Sequence, residues 1–177
     1  MALVVLLRGA NVGGHRTFRP STLAGQLKHL GVVNIGAAGT FVIRRSVGRV
    51  QLRREFADRL PFDAHMTICH GHEIIELLSR DFFQERQVRR DIVRFVSVLS
   101  RLPRTSPLLP LDLPSNGNWL VRILARENRF VVGLYRRRMK VISTLGTLDR
   151  VFGVPVTTRN WNTFHAIARV LASRGPS

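Results

Sequence analysis

The sequence predicts an α+β protein whose antiparallel sheets carry their helices on one face. Three observations lead to this fold class. Short apolar runs alternate with segments in which apolar residues recur at helical spacing, and glycine or proline separates most of them. The chain has 177 residues, which suits one domain of ordinary size or two small ones. Its hydrophobic fraction of 45% supplies the apolar surface for packed cores and excludes a disordered basic tail.

The first half of the chain predicts the order β-α-β-β-α-β, followed by one more helix. The predicted strands cover residues 2–7, 32–35, 41–43 and 64–69. The predicted helices cover residues 22–30, most of 47–60, and 72–78. Gly31 and Pro61 end the first two helices, because glycine adopts the left-handed conformation found at helix ends and proline lacks an N–H. This order is typical of a ferredoxin-like (βαββαβ-type) unit, which we place at residues 1–85.

The second half, residues 86–177, predicts a second and degenerate ferredoxin-like unit. The predicted strands cover residues 91–102, 119–125, 130–135, 139–143 and 154–157, and the predicted helices cover 145–152 and 163–172. Residues 91–102 also fit helical spacing, but their β-branched content favours a strand. Residues 101–118 hold four of the eight prolines, which predicts a loop with little regular structure.

The charge balance points to anionic partners. The chain has 28 Lys and Arg against 11 Asp and Glu, a formal net charge of +17, and only Lys28 and Lys140 are lysines. A field of this sign attracts polyanions without a specific site. The adjacent arginines that could follow a phosphate backbone are Arg44-Arg45, Arg53-Arg54, Arg89-Arg90 and Arg136-Arg137-Arg138. Each cluster taken alone is also explained as a solvated surface, and the arginine excess as genome composition.

An RNA-recognition module shares the β-α-β-β-α-β order but stacks bases on aromatic residues of its central strands. Here the first strand, residues 2–7, has no aromatic residue, and the third has only Phe41. Base-stacking recognition is therefore not expected, and any nucleic acid would be bound through its phosphates.

A glycine-containing loop follows the first strand directly. Residues 8–14 read RGANVGG, and successive backbone N–H groups of such a loop can form an anion-binding nest. Arg8, Asn11, Gly13 and Gly14 are the predicted ligand-binding residues, since an arginine adds a two-pronged contact to phosphate or carboxylate. The alternative is a tight turn in which the glycines only permit a positive φ.

A second polar segment precedes the last helix. Residues 157–163 read TTRNWNT, and Arg159, Asn160, Trp161 and Asn162 are the predicted ligand-binding residues there. Asn162 or Thr163 fits a helix N-cap, and an arginine beside a helix start is a natural anion site. The alternative is that Trp161 anchors the helix in the core while its polar neighbours cap it.

These two segments carry a family resemblance. LLRGANVGGHRTF near the start and TTRNWNTFHAIARVL near the end resemble the signature segments of the domain of unknown function 1697 family. The resemblance spans the whole chain and implies a small bacterial α+β protein of ferredoxin-like units with no established activity and no assigned catalytic residues. The chain has Ala10 where the family usually has isoleucine. It has Ala38-Gly39-Thr40 where the family usually has Ser-Gly-Asn, and it therefore lacks the serine and asparagine side chains there.

Other candidate sites are weaker. Cys69-His70-Gly71-His72 with Glu76 has metal-ligand residue types, but no partner group follows at zinc spacing, so no metal site is predicted. His15 is the only histidine beside a predicted site, and no carboxylate in the sequence pattern orients it as a base. No cofactor motif is present in the sequence. The single cysteine and the lack of a long apolar run predict a cytoplasmic protein with no membrane span.

Two functions from different classes follow. The first is a binding module for anionic ligands, with nucleic acid bound without sequence preference through an arginine-rich surface. The alternative is a site or enzyme for a small phosphate- or carboxylate-bearing ligand, formed by residues 8–14 and 157–163. The second hypothesis requires Arg8 and Arg159 to lie close together. The sequence predicts no oligomeric state.

Overall fold

A computed structural model describes residues 1–10, 17–84 and 89–173 of the chain. The strands are β1 (Leu3–Leu7), β2 (Val32–Ile35), β3 (Thr40–Ile43), β4 (Met66–His70), β5 (Ile92–Leu99), β6 (Leu111–Leu113), β7 (Val121–Glu127), β8 (Phe130–Arg136) and β9 (Val156–Asn160). The helices are α1 (Pro20–Gln26), α2 (Arg49–Ala57), α3 (Gly71–Leu78), α4 (Val141–Gly146), α5 (Leu148–Phe152) and α6 (Trp161–Ala172), with a 3₁₀ turn at Lys28–Leu30. The predicted α+β class with antiparallel sheets is confirmed.

The chain divides into two compact units. Unit 1 comprises Met1–Leu78 together with Asn162–Ser177, and unit 2 comprises Ser79–Trp161. The sequence placed the division at residues 85 and 86 and assigned the last helix to the second unit. In the structure almost all of α6 belongs to unit 1, so the chain leaves unit 1 and returns to it. Contacts between residues far apart in sequence decide this assignment, and local patterns do not contain them.

Unit 1 is built on a four-stranded antiparallel sheet in the order β2-β3-β1-β4. Leu3 lies opposite Ile43 on one side and His70 on the other. Alternate residues of the sheet and the apolar positions of α1 and α2 form one buried cluster, as the period of two in strands and the helical period require. Its main members are Leu3, Val5, Leu7, Leu23, Leu27, Phe41, Ile43, Leu52, Phe56 and Ile68.

The end of α6 is held within unit 1 by an arginine. The Nη2 atom of Arg44 donates to the carbonyl of Val170 at 3.2 Å and to the hydroxyl of Ser173 at 2.6 Å. A cation that donates to the last carbonyls of a helix satisfies groups that the helix itself leaves open. One member of the predicted Arg44-Arg45 surface pair therefore has a structural role.

Unit 2 is built on a five-stranded antiparallel sheet in the order β6-β7-β8-β5-β9. One of its faces packs against α4 and α5. The buried cluster on that face consists of Phe95, Leu99, Val121, Ile123, Val131, Val141, Leu148, Phe152, Val154 and Val156. No helix lies between β5 and β6 in the described segment 89–173, so the element order of unit 2 departs from β-α-β-β-α-β.

Residues 139–143 do not form the predicted strand. Helix α4 begins at Val141, and the predicted single helix at residues 145–152 is divided between α4 and α5. Val141 and Leu148 are buried while Ile142 is 69% exposed, which is a helical rather than an alternating pattern. The β-branched residues favoured a strand locally, and packing against the sheet of unit 2 overrides that preference.

Three other elements differ from the prediction. The proline-rich segment 101–118 contains a short strand, β6, because Leu111 and Leu113 pair with Ile123 and Val121 of β7. Strand β9 covers Val156–Asn160 rather than residues 154–157. Helix α6 begins at Trp161 rather than residue 163. The eight-residue strand β5 provides pairing partners as far as Asn160, and this extends β9 beyond its apolar part.

Candidate functional site

The pairing of β7 with β8 produces a cavity at one end of the unit 2 sheet. Because the two strands are antiparallel, the start of β7 lies beside the end of β8, and the backbone N–H of Arg136 donates to the carbonyl of Leu120 at 2.8 Å. The residues around this pair line an open cavity of about 400 Å³. We call it the basic cavity, and its lining residues are Asn118, Trp119, Leu120, Arg136, Arg138, Met139 and Lys140.

The basic cavity is strongly electropositive. Three of its lining residues, Arg136, Arg138 and Lys140, are cations, and none is a carboxylate. Among the described residues, none of the three forms an ion pair. Like charges around one concave surface repel one another and attract anions into it. The arrangement can therefore bind an anion through charge-assisted hydrogen bonds.

Two arginines lie over the indole ring of Trp119. The guanidinium carbon of Arg136 is 4.4 Å from the ring centroid, and that of Arg122 is 4.5 Å from it. A guanidinium over an aromatic ring is attracted by the negative face of the ring. Trp119 itself is only 8% exposed, so its ring forms part of the cavity wall and is not a free platform for a base.

The two arginines over Trp119 differ in charge compensation. Arg122 donates from Nε and Nη2 to the two carboxylate oxygens of Asp112, at 2.6 and 2.8 Å. This hydrogen bond lowers the pKa of Asp112 and raises the pKa of Arg122. Arg136 has no such partner, and its Nε is buried without a hydrogen bond in the described structure. Arg136 therefore faces the cavity as an uncompensated cation.

The first predicted site is only partly described by the structure. Arg8 is half-buried directly after β1, and its backbone N–H donates to the carbonyl of His65 at 3.0 Å. Asn11, Gly13 and Gly14 lie outside the described residues, as does His15. The anion-binding nest at residues 8–14 stays a prediction.

The second predicted site is divided between a strand end and a helix start. Arg159 and Asn160 end β9, Trp161 begins α6, and Asn162 follows in its first turn instead of capping it. Arg159 donates from Nη1 to the Thr158 carbonyl at 2.9 Å, and burial lowers its pKa to about 10. At neutral pH it remains a cation.

Trp161 is a mostly buried aromatic residue at the end of unit 2. Its ring meets that of Phe83 edge-on at a centroid distance of 5.0 Å, and that of Phe82 at 6.4 Å. Trp161 is 9% exposed, so its ring is buried as the structural alternative expected, but Asn162 lies within α6 and does not cap it. Arg8 belongs to unit 1, and Arg159 to unit 2. Their convergence on one ligand stays a prediction.

The sequence shows part of the basic cavity as an arginine cluster, but no local signal marks it as a cavity. The run Arg136-Arg137-Arg138 was visible as one arginine cluster among several, and Trp119 only as the first residue of a strand. The signal that distinguishes this cluster is the register of β7 on β8, which brings Trp119 beside Arg136. Seventeen positions separate these residues in the sequence, so no local pattern links them.

The described part of the chain contains no group of three or more His, Cys, Asp or Glu side chains arranged to hold a metal ion. Cys69, of the Cys69-His70-Gly71-His72 cluster, is a buried thiol. The rings of His70 and His72 stack at 5.4 Å. None of the helices in the described ranges combines the length and the apolar character that a membrane crossing requires.

The fold and the basic cavity together define a two-unit α+β protein with a cationic cavity in its second unit. A solved structure, that of the conserved bacterial protein SP0830 from Streptococcus pneumoniae, matches it with a TM-score of 0.60. The match covers 96% of this chain and 98% of that chain at 17% sequence identity, so the likeness concerns the fold alone. No family model and no curated protein matches the chain. The resemblance to the domain of unknown function 1697 family accordingly stays a prediction.

Proposed function

We propose that the protein binds nucleic acid without sequence preference, and that the basic cavity of unit 2 is the principal contact for phosphate. One observation carries this proposal: Arg136, Arg138 and Lys140 line a single cavity that contains no carboxylate. The net charge of +17 adds a long-range field that brings polyanions to this surface. Electrostatic steering and local phosphate contacts then act together.

The expected lack of sequence preference follows from the burial of the two tryptophan rings. Trp119 is mostly buried and interacts with Arg122 and Arg136, and Trp161 packs against Phe83 inside unit 2. Neither ring is available as a stacking platform of the kind that single-strand binders use. Affinity that depends on phosphate contacts alone decreases steeply with salt and varies little with base sequence.

The proposal is tested with two variants that remove the same charge. The cavity variant carries Arg136→Ala, Arg138→Ala and Lys140→Ala. The surface variant carries Arg49→Ala, Arg54→Ala and Arg169→Ala, three exposed helix arginines. Fluorescence anisotropy of labelled random-sequence DNA and RNA strands is recorded for both variants and the wild type over a series of KCl concentrations.

We expect the wild-type affinity to decrease with salt and the cavity variant to lose affinity and salt dependence together. Each lost phosphate contact lowers the slope of log affinity against log salt by about 0.7 for single strands, so the slope should decrease by roughly 2. The surface variant should keep nearly the wild-type slope. Equal losses in both variants would show that binding is a property of the diffuse field. No wild-type binding near physiological salt would refute the proposal.

The second candidate is a small anionic ligand held near Arg159. The observation that favours it is that this arginine lies partly buried at the end of β9, where desolvation lowers its pKa to about 10 and leaves it a cation at neutral pH. A thermal-shift screen with nucleotides, sugar phosphates and carboxylates tests it. Any stabilising ligand should lose its effect in Arg159→Ala. Stabilisation that persists in this variant would place the ligand elsewhere.

We infer further that unit 1 is a ferredoxin-like unit of a protein in the domain of unknown function 1697 family. The strand order β2-β3-β1-β4 with antiparallel pairing, and the joint packing of α1 and α2 with one face of the sheet, support the unit. The two signature-like segments support the family. The single cysteine supports the cytoplasmic location that belongs to the same proposal.

A further inference from the structure

We propose that the basic cavity binds a phosphomonoester, the doubly charged phosphate of a strand end or of a free nucleotide. This inference rests on the proposed function, because it takes the same cavity as the anion site. It adds the chemical class of the group that enters the cavity. An internal phosphodiester carries one negative charge. A phosphomonoester carries roughly 1.5 to 2 negative charges at neutral pH, as a phosphorylated side chain does.

The placement of the cations favours a terminal phosphate. Arg136, Arg138 and Lys140 lie within five consecutive positions and line one cavity, so their charge is concentrated at one place. A backbone that passes across a protein surface is matched by cations spread along its path. A group with two negative charges and three acceptor oxygens is matched by several donors around one point. The cavity has the second arrangement.

The shape and composition of the cavity fit the rest of such a ligand. A volume of about 400 Å³ lies within the range of small-ligand sites. Leu120 and Met139 supply apolar surface for a sugar or base, and the Asn118 side chain supplies both a donor and an acceptor. Met139 is 99% exposed, and its flexible thioether can adapt to different bases.

Trp119 acts as a positioning residue for Arg136. The guanidinium of Arg136 lies 4.4 Å from the indole centroid, and its buried Nε has no hydrogen-bond acceptor. The indole ring, rather than a carboxylate, therefore positions the guanidinium. The positive charge of Arg136 is left uncompensated. A lysine at the same position would keep the charge but lose the planar contact with the ring.

The test compares ligands that differ by one phosphate group. Fluorescence anisotropy measures the full chain binding to a 3′-labelled ten-nucleotide DNA with a 5′-phosphate or a 5′-hydroxyl. Competition with adenosine monophosphate, adenosine and inorganic phosphate identifies the source of the phosphomonoester. We expect the 5′-phosphate strand to bind roughly tenfold more tightly than the 5′-hydroxyl strand, the difference that one or two added charge-assisted hydrogen bonds produce.

The variants test whether the preference for the 5′-phosphate strand arises at the basic cavity. The cavity variant should lose the difference between the two strands, and the surface variant should keep it. Arg136→Lys should retain general strand binding and lose most of the difference, since it keeps the charge and removes the contact with Trp119. This charge-conserving variant separates positioning from simple attraction, and a circular dichroism spectrum with a thermal melt verifies that each variant is folded.

Each outcome decides the inference. Competition by adenosine monophosphate but not by adenosine supports it, with a free nucleotide as one source. A preference for the 5′-phosphate strand without nucleotide competition supports it, with strand ends as the source. Equal binding of both strands, with no competition by the nucleotide, overturns the inference and leaves the proposed function standing. No binding of any strand overturns the proposed function itself.

Discussion

The ion pair between Asp112 and Arg122 compensates one of the positive charges beside the basic cavity. Asp112 lies in the edge strand β6 opposite Arg122 of β7, and the two carboxylate oxygens accept from Nε and Nη2 at 2.6 and 2.8 Å. This contact neutralises one of the two guanidiniums over Trp119 and fastens the short strand β6 to the sheet. Both guanidiniums stay charged, but only that of Arg122 is compensated by a carboxylate.

A pH series tests this pair. The hydrogen bond from Arg122 lowers the folded-state pKa of Asp112, so the unfolded state binds its proton first as the pH falls. The stability from the pair is therefore complete above the ordinary aspartate pKa of 3.8 and disappears as the pH falls through the lower folded value. We expect Asp112→Asn to cost about 1 kcal/mol at neutral pH, the upper range for partly exposed pairs.

Urea unfolding between acidic and neutral pH measures the difference between wild type and Asp112→Asn. This difference should vanish at the acidic end of the series. Asp63→Asn, the same change at an exposed carboxylate of unit 1, is the control and should show little difference at any pH. A cost of Asp112→Asn that stays constant down to the most acidic point would contradict the assignment.

At the scale of elements, the central strand β8 requires a glycine. A Cβ at Gly133 would collide with the carbonyl of Arg122 on β7, and would lie 2.8 Å from the ring of Phe95 on β5. The β7–β8 register shifts between Ile123 and Ala125, next to this close approach. A shifted register bends and twists the strand locally. Gly133 thus lets β7 and Phe95 approach β8, in the same strand pair that carries the basic cavity.

Gly133→Ala should destabilise the protein by roughly 1 to 3 kcal/mol, because neither the Arg122 carbonyl nor the buried Phe95 ring can move away without disturbing the sheet. Chemical unfolding measures the change. Gly25→Ala is the matched control, since nothing lies within 4 Å of its added Cβ in α1. Alanine is the better helix former, so Gly25→Ala should be neutral or stabilising by up to about 1 kcal/mol. Equal stability of Gly133→Ala and wild type would refute the steric argument.

For the molecule as a whole, the net charge of +17 gives salt two opposite effects. Self-repulsion destabilises a compact chain of high net charge, and salt screens it. The same screening weakens phosphate binding through counterion release. Stability of the free protein and affinity for nucleic acid should therefore respond to salt with opposite signs.

We expect the Tm of the free protein to rise between about 20 and 500 mM KCl, because the Debye length falls from roughly 20 to 4 Å over this range. Differential scanning calorimetry measures it, with chloride as the only anion in excess. The cavity variant should show a smaller rise than wild type, since three uncompensated charges are removed from one place. A Tm that falls with salt would show that ion pairs such as Asp112–Arg122 outweigh the repulsion.

Most of the secondary structure could be predicted because its signals are local. Apolar runs such as residues 2–7 became buried strands, and Gly31 ends its helical segment with a φ of 62°. The strand predicted at residues 139–143 was wrong. Its β-branched residues favour a strand locally, but packing selects a turn followed by helix α4. Strand β6 was missed because its three residues gain their structure only from pairing with β7.

The sequence by itself determined the fold class, most of the element order and the excess of positive charge. These depend on the composition and on periodicities within about ten residues, which are properties of the chain before it folds. Only the tertiary structure decided that Arg136 lies over Trp119 at a cavity, and that the guanidinium of Arg122 is paired with the carboxylate of Asp112. The reason is physical: strand register joins residues that are distant in sequence, and burial then decides which charges keep a partner.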